Sequence, residues 1–106
     1  MGLDKRLKLH QMLCDIIGST SPKKCAFCPP PSLNLEYPCI IYDRAGDRRI
    51  HADNQPYIMY DRYTITLIDE DPDSEYLPLL QKLPMCSYDR HYSSDGLSHD
   101  TFTIFI

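Results

Sequence analysis

Apolar positions over the first seventeen residues recur at helical spacing. Leu3, Leu7, His10, Cys14 and Ile17 fall four, three, four and three apart, and Leu9, Leu13 and Ile16 widen the stripe into a broad arc. Asp4, Lys5, Lys8, Gln11 and Asp15 lie mostly outside it. Gly18 stands where a helix C′ residue belongs, and Pro22 keeps the helix from resuming. From there the period shortens to two. Residues 23–28 read as an extended stretch stopped by Pro29-Pro30-Pro31, and a second strand is expected over 37–44, with Pro38 at its start. Residues 45–56, AGDRRIHADNQP, read as a polar connection rich in turn formers and longer than a hairpin tip needs.

The clearest alternation is YIMYDRYTITLID, residues 57–69. Tyr57, Met59, Tyr63, Ile65 and Leu67 share one face. Ile58, Tyr60, Arg62, Thr64, Thr66 and Ile68 share the other, which is more polar and suits water or another subunit. Pro78 fits the first turn of a short helix over about 77–83. Strands are expected at 85–92 and 98–106, joined by the turn residues Ser93-Ser94-Asp95-Gly96. The order α-β-β-β-α-β-β, with short turns between neighbouring strands, predicts an α+β fold. It has a mainly antiparallel sheet of about four to five strands, with the N-terminal helix and the short second helix on one face.

Composition bounds this picture. The chain has 106 residues, 42% hydrophobic and 25% charged, which suits a single domain over 1–106 with a radius of gyration of roughly 13 Å. Eight tyrosines and no tryptophan lean it towards strands. The opening MGLDKRLKLH has no apolar core of a secretory signal, and Arg6 occupies the place where a myristoylation signal wants Ser or Thr. No run approaches the roughly 20 apolar residues of a membrane span, so a reducing cytosol is the expected folding compartment. Residues 1–24 carry five Lys/Arg against two acids. Residues 25–106 carry six against thirteen, so no basic stripe for sequence-specific DNA binding is present.

Several stretches invite a chemical reading. Cys25 and Cys28 have the spacing of half a zinc site or a redox motif. In a strand, however, alternation turns them to opposite faces, and Pro29 biases Cys28 towards extended geometry. Pro29 and Pro30 also lack N–H groups for a thiolate. Cys14, Cys25, Cys28, Cys39 and Cys86 are therefore expected to be reduced, inert thiols, with no metal and no cofactor. Residues 69–73, DEDPD, open like a calcium loop, but Ser74 and Leu80 stand where that loop needs Gly and Glu. A solvated acidic turn is expected. His51 with Asp53, and His99 with Asp100, could contribute to a hydrolase site, but the spacing shows neither an orienting partner nor a nucleophile or metal, so no catalytic site is expected. The triplet YDR at 42–44, 60–62 and 88–90 has no fixed period and reads as strand ends turning polar.

The segments PPPSLNLEYPCIIY, HADNQPY, RYTITLIDEDPDSEY and LPMCSYDRHYSSDGLSHDTFTIFI follow one another in an order that resembles the tail-completion or tail-terminator proteins of long-tailed bacteriophages, notably of Gram-positive hosts. The likeness covers roughly residues 29–106. HADN before a Pro-Tyr strand, and CSYDRHY with DGLSHD, are its most specific parts.

The resemblance implies a structural, non-enzymatic virion protein of the tail-neck region, assembled in the host cytoplasm as a homohexameric ring. Such a ring caps the tail tube, stops its polymerisation and joins it to the head connector or stopper protein, while DNA passes through unread. Another neck ring protein is the nearest alternative, and a small metal-dependent hydrolase using His51, Asp53 and His99 a more distant one. A ring requires two unlike surfaces on each subunit. Arg44, Asp47, Arg48, Arg49, His51, Asp53, Tyr60 and Arg62 are the expected interface residues.

Overall fold

The helical stripe and the alternating segments meet as a two-layer structure, one sheet with a helix across one of its faces. The computed structural model describes residues 2–19, 21, 23–29, 34–52, 55–71 and 73–106; at 2–5, 46–52 and 55–60 the description covers the backbone alone. In chain order the elements are α1 (Gly2–Ile17), β1 (Cys25–Phe27), β2 (Cys39–Ala52), β3 (Gln55–Asp69), α2 (Leu77–Gln81), β4 (Cys86–Ser94) and β5 (Leu97–Phe105). The strands form one five-stranded sheet in the order β1-β2-β3-β5-β4. The fold is α+β with the element order that the pattern predicts.

Helix α1 ends as its sequence dictates. Gly18 takes φ +77°, and the N–H groups of Gly18 and Ser19 both donate to the Cys14 carbonyl, at 2.8 and 3.2 Å. Its buried face is Leu9, Leu13, Cys14 and Ile17, whereas Leu7 is half exposed. The buried arc is thus rotated from the predicted stripe towards Leu9 and Leu13. These side chains pack on Tyr42, Tyr63, Ile65, Leu67, Phe102 and Ile104 from the sheet, with Leu80 of α2 closing the core. Burying each Leu or Ile contributes about 1.5–3 kcal/mol. The alternation in β3 is as expected: Tyr63, Ile65 and Leu67 are buried under α1, while Arg62 is exposed and Thr64 and Thr66 are half-buried on the other face.

Three features differ from the sequence reading. First, β1 pairs with β2 in parallel, Cys25 beside Ile40 and Phe27 beside Tyr42, a partner the pattern does not assign; the other three pairings are antiparallel, so the sheet is mainly antiparallel as expected. Second, residues 45–56 are not a loop. β2 continues to Ala52 and β3 starts at Gln55, in antiparallel register down to Ala52 opposite Gln55. Third, the YDR triplets lie within strands, two of them beside bulges. Ala45 is the extra residue after Arg44, and Asp89 is the extra residue between Tyr88 and Arg90. The triplet at 60–62 faces the first bulge: Arg62 donates from Nε and Nη2 to the Ala45 carbonyl, at 3.1 and 2.6 Å.

The β2–β3 hairpin outruns the sheet. β5 accompanies β3 only from Arg62 to Asp69, with Ile106 adding two backbone bonds to Asp61, and β1 accompanies β2 only at 40–42. Beyond these, residues 46–52 and 55–60 form a two-stranded ribbon. The extents are accordingly 50 × 23 × 23 Å, and the radius of gyration is 14.6 Å, above the roughly 13 Å of a compact chain this long. At the opposite side of the sheet, β4 and β5 are joined by Asp95 and Gly96 at φ +53° and +76°, the two positive values of a type I′ hairpin turn.

Candidate functional site

The sequence-predicted interface residues sit on or beside the ribbon. Asp47 pairs with Asp61, Arg48 with Tyr60, Arg49 with Met59 and His51 with Pro56. Asp53 lies outside the described residues. Arg44 and Arg62 flank the bulge where the ribbon leaves the sheet, and both are exposed. The Arg44 guanidinium carbon lies 5.9 Å from the centre of the buried Tyr63 ring, and Arg62 is held by the Ala45 carbonyl. The fold thus gathers most of the predicted set on one projection.

It does not gather the alternative hydrolase set. His51 is opposite Pro56 near the end of the hairpin, and His99 is opposite Ile68. The twelve residue steps of β3 from Pro56 to Ile68 span roughly 40 Å at about 3.3 Å each. His99 stacks on Tyr92, centroids 4.7 Å apart, instead of meeting Asp100. Asp100 is turned to the α1 side of the sheet and almost wholly buried. Its Oδ1 accepts from the Tyr88 hydroxyl at 2.8 Å and from His91 Nδ1 at 2.8 Å. Burial, and then donation to Asp100, raises the Tyr88 pKa above its ordinary value. Among the described residues no serine or cysteine hydrogen-bonds to His91, so the pair is a base and an orienter without a nucleophile. The sequence names Asp100 but assigns it the wrong histidine; a one-residue bulge in β4 decides which one faces it.

The acidic turn after β3 behaves as expected. Asp69 and Asp71 each accept the backbone N–H two residues on, at 3.1 and 2.9 Å. With Pro38, Asp73, Glu75 and Tyr76 they line an open hollow of about 350 Å³.

The cysteines divide differently from their spacing. Cys28 is exposed and at φ +46° rather than extended, while its N–H still donates to the Tyr42 carbonyl at 2.9 Å. Cys25 is buried at the start of β1, under α1. There it meets Cys14 and His10, which lie four residues apart on one helix face. One donor atom from each of the three falls within 4.8 Å of the other two. Burial pushes the Cys25 thiol pKa up, and the neighbouring Cys14 sulfur adds to that. His10 Nδ1 lies 2.8 Å from the hydroxyl of the fully buried Tyr42. The sequence reading weighed Cys25 only against Cys28, turned the two to opposite faces, and missed this cluster. Its one legible sign was the His10–Cys14 spacing, which was absorbed into the apolar stripe.

No family model, no curated protein and no solved structure matches the chain. Among the described residues, no helix is long and apolar enough to cross a membrane.

Proposed function

We propose that this chain is a structural ring subunit of a bacteriophage tail-to-head junction, with tail termination as its role. The observation that carries the reading is the ribbon. Two strands with no third neighbour among the described residues are marginally stable in water, so a protein that builds such a projection needs something to lay it against. A ring supplies that surface from the next subunit, through contacts between unlike faces. The sheet offers two candidates: the edge strand β4, exposed along most of its length, and the threonine face of β3 and β5, where Thr64, Thr66 and Thr103 are half-buried. Residues 43–53 carry three arginines and three aspartates, a density suited to orienting unlike surfaces. A net charge of −4 suits a channel that DNA slides through. The sequence resemblance points to the same assembly, with a homohexamer between tail tube and head connector.

The test is the native mass of the protein alone and mixed with its tail-tube subunit. A ring, formed alone or on tubes, is the expected result; a chain that stays monomeric both alone and with the tube subunit overturns the reading. Assembly with the connector protein but not with the tube would instead mark a sister neck ring. The double variant Arg48→Glu/Arg49→Glu should melt within a few degrees of wild type, yet give tubes of uncontrolled length or unjoined heads and tails in electron micrographs. Normal capping by that variant would exclude the ribbon as the interface.

A further inference from the structure

We propose that His10, Cys14 and Cys25 form a binding site for a thiophilic d10 metal ion, zinc(II) or copper(I), that ties α1 to β1. Two thiolates and an imidazole are the donors such ions select. The positions come from different elements: His10 and Cys14 from successive turns of one helix face, and Cys25 from the strand beneath. Donor atoms around a tetrahedral zinc with bonds of about 2.3 Å lie about 3.8 Å apart. The three atoms here are already within 4.8 Å of one another, so an adjustment of about 1 Å or less closes the site.

Two further observations favour an ion. The His10 ring is held by Tyr42 at 2.8 Å, the kind of outer partner that fixes a ligating imidazole. Charge also balances. Zinc(II) with two thiolates and a neutral imidazole brings no net charge into the core. Copper(I) leaves one negative charge, next to which Arg6 stands by the Tyr42 hydroxyl with its guanidinium 4.5 Å from the Phe27 ring centre. Zinc would take a fourth donor from water; copper(I) is satisfied by three.

The experiment uses the full chain, reduced. Cobalt(II), as a coloured stand-in for zinc(II), and copper(I) are titrated separately. One equivalent is expected to bind in at least one arm, and with cobalt a thiolate-to-metal charge-transfer band should appear. The melting temperature should rise by about 10 °C at a hundredfold excess of zinc or copper over Kd. Cys14→Ala and His10→Ala, checked for native circular dichroism, should weaken or abolish binding along with Cys25→Ser. Cys28→Ser and Cys86→Ser should leave it intact. Tyr42→Phe should lower affinity about 10–100-fold without removing the band. No binding in either arm overturns the proposal. So does binding that survives loss of Cys14 and Cys25, or a protein recovered from the cytosol with those two sulfurs joined.

Discussion

Leu67 and Thr66 are neighbours in β3 with opposite fates, which makes them a direct measure of the register. Leu67 is 1% exposed beneath α1, and Thr66 is half-buried on the open face. Leu67→Ala should cost roughly 2–5 kcal/mol, and Thr66→Ala about half a kcal/mol. Equal losses in denaturant melts would mean that the strand is shifted by one residue. The cysteines offer a second measure at this scale. In the native protein Cys28 should be alkylated first, because it alone is exposed; Cys25 and Cys39 should react only after denaturation. Partial desolvation, and then the Asp43 carboxylate, raise the Cys28 pKa. A raised pKa leaves less thiolate at a given pH, so near pH 8 this thiol should react more slowly than a free cysteine and gain on it as pH climbs. Modification of Cys25 as fast as Cys28 in folded protein would contradict the placement of β1 under the helix.

The elements were legible where local chemistry decides them. The helix stop at Gly18, the first-turn proline of α2, the alternation of β3 and the Asp95-Gly96 turn each follow from a residue's own backbone preference or from period-two burial. Residues 45–56 were misread for a related reason. Gly46, Asp47, Asp53 and Asn54 are turn formers, and the arginines between them break any apolar alternation, so nothing local distinguishes a loop from a ribbon. Pairing with β3 supplies the difference, and register across a hairpin is not written in either strand alone. The same holds for the parallel partner of β1. Its three residues have no pattern of their own, and their place is set by the Ile40–Tyr42 segment and by α1 above. The metal-site candidate was hidden by that step, because Cys25 finds Cys14 only once β1 has been laid beside β2. Most of the interface candidates stay together in either reading, because Arg44, Asp47, Arg48, Arg49 and His51 are close in sequence and Tyr60 and Arg62 pair across from them.

At the scale of the whole molecule, the body and the ribbon are held by different forces. The body has α1 over a buried sheet face, so opening it exposes the core. The ribbon at 46–52 and 55–60 is held among the described residues by its own cross-strand bonds, with the Arg62–Ala45 contacts at its base. Two strands alone reach at best marginal stability, so the ribbon should open without the body unfolding. Amide hydrogen exchange separates the two. In the free subunit, amides of β3 opposite β5, from Thr64 to Ile68, should exchange only on global unfolding, while those of the ribbon should exchange orders of magnitude faster. If the chain forms the proposed ring on a tail tube, the ribbon amides should slow towards the body's rate in the assembly, and the body should change little. Ribbon amides as slow as the body in a free monomer would show that the hairpin needs no partner, removing the physical reason for a ring. Ribbon amides that stay fast in assembled particles would place the contact elsewhere, on β4 or on the threonine face of the sheet.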